Sequence, residues 1–530
     1  MIDSQNRTLP GLLDEMAERF PARDFVVYGG ERLTYATFRK RVHEVARGLR
    51  GLGIKHGDKV ALLMGNQSEW LVVCFATTLL GAKFVALNTW WRYRELKYAL
   101  NLSETDILIM SDRYLNNDYV GALGKIGDWN EALPHLKHVV CLGASGATYP
   151  GLLPFDHFVR GGSTVSEPDI AAMQRAVEPG DNAFILFTSG STAHPKAVLN
   201  EHWGVIRNGF GIGERMHLSE HDRILVPISL FWGFGIQNAV LAALTHGACL
   251  VLQHRFDAGE MLGLIESEKC TGMYVTPNMA LALHDHPDRG SFDLSSLRTG
   301  LSMPSTVPHL AEMGAHEICS FYGLTEAYGN STVSDAHDPL EIRSKTCGRP
   351  LPETDLVIAD PVTHQPLPRG SVGEIKVRGF VMPGYFREPD KTREAIDGDG
   401  YLLTGDLGML DDENYLHFCG RLKEMVKSGG INVSPVEVEE MLRSCEGVDQ
   451  AYVVGVPDPK LDEVLAAAII RKAGAVCAPE QLTEFCKSEM AAYKVPKYFA
   501  FLQKDDVPLT DTGKIDKAGL QRKLSAEFVA

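Results

Sequence analysis

The sequence predicts an α/β protein in two parts: a large, layered N-terminal domain of several subdomains, and a small mobile α+β domain at the C-terminus. Three observations carry this reading. A chain of 530 residues exceeds what one compact core accommodates, so two to four domains are expected. Helical and strand-like segments alternate through roughly the first four hundred residues, the rhythm of a layered α/β fold. After Tyr401 the text changes, to Thr404-Gly405-Asp406, then Asp411-Asp412-Glu413, then Gly420-Arg421-Leu422-Lys423. The expected boundaries are an N-terminal domain over 1–420, a hinge at 421–423 and a lid over 424–530.

Taken in order, 35–52 reads as an amphipathic helix, Lys59–Leu63 as a strand, 69–80 as a helix and 84–87 as a strand. The largely apolar stretch 70–88 is nineteen residues long, enough to suggest a membrane span. Gly81-Ala82-Lys83 interrupts it, and the β-branched run beyond suits a helix followed by a buried strand. Phe184-Ile185-Leu186-Phe187 reads as a buried strand, and another strand reads as ending near Ser320. In the small domain Ser434-Pro435-Val436-Glu437 has the form of a capping box with proline at the first helical position. Strands at 451–456 and 464–470, a helix over 479–492, a strand near 498–502 and a helix from about Lys517 complete the unit. A large body and a small cap joined by one short segment suit closure over a ligand.

Composition narrows the function. Hydrophobic residues make up 45% and charged residues 23%, an ordinary balance for a soluble enzyme. The net charge of -16 argues against nucleic acid as a partner, because no basic excess exists to displace counterions. An anionic substrate must therefore be met by local lysines and arginines. Ten cysteines without a C-x-x-C pair read as reduced thiols of a cytoplasmic protein. The polar start (Met1 to Arg7) and the end at Ala530 match no leader, address or lipid anchor, so no integral membrane association is expected.

The most informative stretch follows Phe187: Thr188-Ser189-Gly190-Ser191-Thr192-Ala193-His194-Pro195-Lys196. Four hydroxyl residues, a glycine that lets amides turn inward and a closing lysine are the parts of a polyphosphate cradle. A serine-rich surface loop is the plainer alternative. A Walker loop is excluded, since no second glycine precedes Lys196 and no Ser/Thr follows it. Phe321-Tyr322-Gly323-Leu324-Thr325-Glu326 offers a ring beside an open backbone, suited to stacking a purine, then a hydroxyl and a carboxylate where phosphates and Mg²⁺ would sit. Read blandly, it is a strand-terminal turn. Asp406, with Arg421 downstream, is a carboxylate of the kind that accepts ribose hydroxyls. Lys514 lies on the turn Thr510-Asp511-Thr512-Gly513 ahead of the last helix; alone it reads as a solvated charge.

Together these segments resemble the adenylate-forming superfamily of acyl-CoA synthetases, luciferases and peptide-synthetase adenylation domains, most closely a stand-alone acyl-CoA synthetase. The 188–196 loop is similar to its Thr-Ser-Gly-Thr-Thr-Gly-x-Pro-Lys-Gly signature. Leu33-Thr34-Tyr35, Gly373 to Gly379 with Gly384-Tyr385, Gly420 to Pro435, Tyr493-Lys494-Val495-Pro496 and the Lys514 turn resemble further motifs in order along essentially the whole chain. Departures are Ala193 and Ala197 in place of glycines, Ser302-Met303-Pro304-Ser305 in place of an adenine-side Gly-Gly-Ala, and Asp462 in place of a glycine. The resemblance implies a catalytic set of Thr188, Glu326 and Lys514. ATP would be held by Thr188, Ser189, Gly190, Ser191, Thr192, Lys196, Tyr322, Gly323, Thr325, Asp406 and Arg421, and Mg²⁺ by Glu326. Lys423 would be the hinge, and Gly429 and Gly430 would line the tunnel for coenzyme A.

The implied reaction is ATP-dependent acid:CoA ligation through an acyl-adenylate. Phe231, Trp232 and Phe234 stand where relatives close the acyl tunnel, and read either as plain core or as its wall. With no aspartate there to hold an α-ammonium, an apolar monocarboxylic acid (fatty, aromatic or alicyclic) is favoured. A chain passing its acyl group to a carrier protein or amine, and a binding protein without turnover, are the competing readings. A homodimer is compatible with either. His284-Asp285-His286 has metal-like spacing but reads as a polar loop, and His194 and His202 flank the phosphate loop closely enough to touch ligand.

Overall fold

The structure, a computed structural model, describes residues 7–143, 151–188, 195–428, 431–458, 462–490, 494–510 and 514–529. The chain forms two compact units: residues 1–356, 377–402 and 414–416, and residues 357–376, 403–413 and 417–530. The second therefore takes in two segments upstream of residue 420.

The first unit contains a seven-stranded and a nine-stranded sheet. In the seven-stranded sheet the strands run Lys196–Glu201, Asn182–Thr188, Lys83–Ala86, Lys59–Leu63, Ile107–Ser111, His138–Leu142 and Leu152–Pro154. All neighbours are parallel except the first pair, an antiparallel hairpin. Parallel strands are covered on both faces and so read as continuous apolar runs, which is how Lys59–Leu63 became legible. The helix Ser68–Leu79 is buried at eleven of its twelve positions, with only Glu69 partly exposed. A helix apolar all round belongs inside a core. Trp70 packs edge-on against Phe84 at 4.9 Å, and Phe75 against Phe38 at 5.6 Å, within one cluster that draws residues from both sheets. Gly81, at φ +68, turns the chain from this helix into the strand Lys83–Ala86. Among the described residues no helix is long and apolar enough to cross a membrane.

Phe321 to Leu324 do not follow a strand that ends at Ser320; they belong to it. Glu317–Leu324 is one strand that changes partner, pairing in parallel with Thr299–Ser302 up to Ser320 and antiparallel with Gly329–Val333 from Phe321 onward. The change of partner is what looks like an end in the sequence.

In the second unit the sheet order is Ile431–Val433, Val426–Ser428, Asp462–Arg471 and Val448–Asp458, with Tyr498–Phe501 parallel to Asp462–Arg471. The helices are Pro435–Arg443, Pro479–Glu489 and Lys517–Phe528. The first starts where the proline predicts, but the capping box does not form. The Ser434 hydroxyl donates to the Cys419 carbonyl instead of accepting from the helix N-terminus. Thr404-Gly405-Asp406 lies inside the strand Leu402–Leu410, where Gly405 at φ +69 kinks it, and not in a turn between elements.

Candidate active site

In the first unit the hairpin Asn182–Thr188/Lys196–Glu201 pairs Thr188 directly with Lys196, so the ends of the hydroxyl loop are fixed opposite each other. Ser189, Gly190, Ser191, Thr192 and His194 lie outside the described residues, as do Gly429 and Gly430. The Thr188 Oγ1 is buried with no hydrogen-bond partner among the described residues. An unsatisfied buried hydroxyl costs about 1–3 kcal/mol, which a ligand oxygen arriving there removes.

Beside this hairpin runs the segment Gly384-Tyr385-Phe386. Leu199 N–H donates to the Gly384 carbonyl at 3.1 Å and Phe386 N–H to the Ala197 carbonyl at 2.8 Å. Gly384 sits at φ +152, and a Cβ there would fall 2.8 Å from the Thr392 side chain, so the position favours glycine. Tyr385 is thereby set between two charges. Its hydroxyl donates to Glu326 Oε1 at 3.1 Å and accepts from Lys196 Nζ at 3.4 Å, and that ammonium sits 4.6 Å from the ring centroid. Burial, then the nearby Glu326 carboxylate, push the Tyr385 phenol well above its ordinary range, so it stays a donor. Tyr385 joins the two predicted charges, yet the sequence reading gave it no role. Only the Gly384-Tyr385 motif pointed to it.

Thr325 and Glu326 occupy a 3₁₀ turn, Thr325–Ala327, at the end of the strand that carries Tyr322 and Gly323. Asn200 Nδ2 and Gln237 Nε2 both donate to the Thr325 carbonyl, at 3.2 and 3.3 Å, and Met382 N–H donates to the Glu326 carbonyl at 2.7 Å. Asn200 and Gln237 carried no sequence signal. Tyr322 is buried.

The aromatic segment lies against this turn. A Cβ at Gly233 would meet Gln237 Oε1 at 2.3 Å and Thr325 Oγ1 at 3.2 Å. Phe231 is buried while Trp232 and Phe234 are half-buried. Trp232 packs edge-on with Trp90 at 5.1 Å and Phe231 at 5.5 Å, and Phe234 stacks on Phe321 at 4.9 Å. Trp90 and Phe321 thus extend the predicted aromatic set.

His202 is turned into the core. It is buried, and its Nδ1 accepts from Leu9 N–H at 3.1 Å, because it opens the helix His202–Arg215 that packs toward the N-terminal segment. Burial depresses it to about 4, partly offset by Asp181. His284 bonds Asp285 at 2.7 Å and Glu312 at 2.9 Å on the surface.

In the second unit Asp406 Oδ1 lies 3.3 Å from Arg421 Nε. The Glu374 carboxylate accepts from Gly405 N–H at 3.0 Å, and Thr404 Oγ1 accepts from Asp406 N–H at 3.1 Å while donating to the Ile375 carbonyl at 2.6 Å. These bonds fix the backbone that presents Asp406. Lys423 is in the exposed turn Leu422–Glu424. Asp511, Thr512 and Gly513 of the predicted turn lie outside the described residues; on either side of them Thr510 N–H donates to the Lys514 carbonyl at 2.7 Å and Lys514 N–H to Thr510 Oγ1 at 3.2 Å. The side chain of Lys514 reaches solvent, but the protein mass around it and, secondarily, the Arg421 guanidinium hold its ammonium below the ordinary lysine value.

Lys196, Tyr385 and Glu326 thus form one connected chain, and the aromatic segment lies against the turn that carries Glu326. The family model described as AMP-binding enzyme matches residues 13–386, and that of the AMP-binding enzyme C-terminal domain matches residues 437–514. YngI of Bacillus subtilis, which carries an acyl-CoA synthetase name, is 38% identical over 100% of this chain and 99% of its own. The mitochondrial medium-chain acyl-CoA ligase ACSF2 of Danio rerio is 32% identical over 99% of this chain and 89% of its own. The solved anthranilate CoA ligase AuaEII in complex with anthranoyl-AMP has a TM-score of 0.86 at 26% identity, over 99% of each chain. The chain belongs to the AMP-binding enzyme family. It is an AMP-forming acid:CoA ligase with ATP and coenzyme A as co-substrates.

Proposed function

We propose that the enzyme activates an apolar monocarboxylic acid, and that its own residues divide the work as follows. A carboxylate is a poor acyl donor because O⁻ does not leave. Its oxygen attacks the α-phosphorus of ATP, the Pα–O–Pβ bond breaks, and pyrophosphate departs with the electron pair. The thiol sulfur of coenzyme A then attacks the acyl carbon of the mixed anhydride, and AMP leaves. Such transfer is mainly positioning and neutralisation of charge.

Thr188 Oγ1, Ser189, Gly190, Ser191, Thr192 and Lys196 bind the β- and γ-phosphates, and Lys196 is steered by the Tyr385 ring and hydroxyl. Tyr322 and Gly323 take the adenine, Thr325 the α-phosphate, and Asp406 with Arg421 the ribose hydroxyls. Lys514 neutralises the carboxylate and α-phosphate during adenylation. Glu326, held by Tyr385, and the orphan Thr188 hydroxyl are hard oxygen donors that fit Mg²⁺. Bound there with the triphosphate, Mg²⁺ supplies neutralisation of the phosphate charge.

The observation that carries this reading is the chain Lys196–Tyr385–Glu326, which ties a phosphate-binding cation to a metal-binding carboxylate through one phenol. Lys423 is the pivot of a hinge at 421–423 between domains over 1–420 and 424–530, so that Lys514 serves adenylation and Gly429-Gly430 the thioester step. The ring contacts among Trp90, Phe231 and Trp232, without an acid in that segment, support an apolar acyl group. The ten free cysteines support a cytoplasmic setting.

The test is acid-dependent ATP–pyrophosphate exchange over a panel of fatty, aromatic and alicyclic acids and amino acids, with and without Mg²⁺. Exchange confined to the apolar acids, abolished by chelation and restored by Mg²⁺, is expected. Exchange driven best by an amino acid overturns the acyl assignment.

A further inference from the structure

A second set of metal-type donors uses none of the residues above. It lies where the helix His202–Arg215 ends and the strand Gly329–Val333 runs out. His217, Asp335 and His337 each offer one ligand atom, and these atoms lie within 4.8 Å of one another. His217 Nε2 is 2.9 Å from Asp335 Oδ1, and the two imidazoles stack with centroids 4.1 Å apart and planes 21° from parallel. The turn is braced from within: His337 N–H donates to Asp335 Oδ1 at 3.0 Å, and Asp335 N–H to Asp338 Oδ2 at 2.9 Å.

We propose that His217, Asp335 and His337 form a binding site for a divalent cation of the Zn²⁺ class, with water completing its shell. Two imidazole nitrogens and one carboxylate oxygen suit Zn²⁺, Ni²⁺ or Cu²⁺; Mg²⁺ selects oxygen donors in an octahedron. Tetrahedral Zn²⁺ with bonds of ~2.0–2.1 Å needs donors ~3.3 Å apart. The His217 and His337 side chains are 42% and 65% exposed, so the donors can be reached from solvent, and the present spacing must close by about an ångström or more on binding. Arg215 Nη1, 4.0 Å from the other Asp335 oxygen, keeps that oxygen out of the shell and the carboxylate monodentate. Glu317 Oε1 lies 3.8 Å from His337 Nε2, near enough to add negative charge beside the cluster, and Arg298 holds Glu317 at 2.5 Å. The ion joins the end of one helix to the exit of the strand Gly329–Val333. That strand pairs with the one carrying Tyr322. The site is a structural clip with no part in acyl transfer.

The experiment titrates Zn²⁺ into the metal-free full-length protein against a chromophoric chelator, with millimolar Mg²⁺ present. The expected result is one equivalent bound per chain in the micromolar range, weakened at least ~10-fold by His217→Asn and by His337→Ala, and unchanged by His157→Ala, an exposed histidine outside the cluster. Asparagine is used at 217 because that residue sits at φ +52, which asparagine tolerates. Both variants retain acid:CoA ligase activity without zinc. Zinc binding that is the same in the variant carrying both His217→Asn and His337→Ala, or no stoichiometric binding by the unaltered protein, overturns the proposal.

Discussion

Replacing Tyr385 by phenylalanine removes one oxygen and leaves the ring, so it isolates the hydroxyl that links Lys196 to Glu326. The bond to Glu326 is 3.1 Å and its acceptor is a carboxylate; the bond from Lys196 is 3.4 Å, at the long end, and contributes little. A hydrogen bond to a charged group contributes about 1.5–3 kcal/mol. At 1.36 kcal/mol per factor of ten, Tyr385→Phe therefore lowers kcat/KM for adenylation about 10- to 100-fold. The cation–π contact at 4.6 Å remains in this variant, whereas Tyr385→Ala loses it and leaves a cavity that itself costs several kcal/mol of stability. The assay is ATP–pyrophosphate exchange beside thioester formation from supplied acyl-adenylate, with the melting temperature as a check on folding. Exchange within threefold of the unaltered enzyme would refute the reasoning, as would an equal loss in both half-reactions.

Lys514→Ala is expected to slow adenylation by about 10²–10³-fold, the scale of losing one preorganised charge-stabilising donor, while sparing thioester formation from acyl-adenylate; single-turnover measurement of each half-reaction checks this. Trp232→Ala opens the space now filled against Trp90 and Phe231. The ratio of kcat/KM for an acid two methylenes longer than the preferred one should rise by ~10-fold, since each buried methylene contributes about 0.8 kcal/mol; an unchanged ratio removes Trp232 from the acyl wall. His202 is neutral in the fold because burial lowers it from an ordinary value of 6.5 to about 4. The unfolded chain takes up its proton first as pH falls, so this stability is present above pH 6.5 and is lost progressively down to about pH 4. The maximum loss is ~3 kcal/mol. His202→Asn keeps an acceptor for Leu9 N–H and should flatten that part of the acid dependence in urea unfolding; a slope equal to that of the unaltered protein contradicts the assignment.

Local patterns were legible where burial writes itself into composition. Lys59–Leu63 and the helix starting at Lys517 fall where the apolar runs put them. What failed depended on distant partners. Ser320 looked like a strand end because the neighbour changes there, from a parallel to an antiparallel one. Ser434 has the residues of a capping box, but Cys419 offers its hydroxyl another acceptor. At the site, Lys196 and Glu326 were readable as charges beside glycine and hydroxyl residues. Tyr385, which joins them, is 189 positions from one and 59 from the other, and no spacing rule reaches that far. Asn200 and Gln237 are invisible for the same reason: their task is to hold a carbonyl at Thr325, and any amide of the right reach does that. His202 sits close to the loop in sequence, but the first turn of a helix carries it into the core.

The route of one oxygen atom tests the account most directly. With an activating acid labelled with ¹⁸O in its carboxylate, and ATP and coenzyme A supplied, the enzyme is predicted to place one ¹⁸O in the phosphate of AMP for each thioester formed. Label found in inorganic phosphate beside ADP, or label kept out of both while thioester accumulates, would contradict attack by the carboxylate on the α-phosphorus.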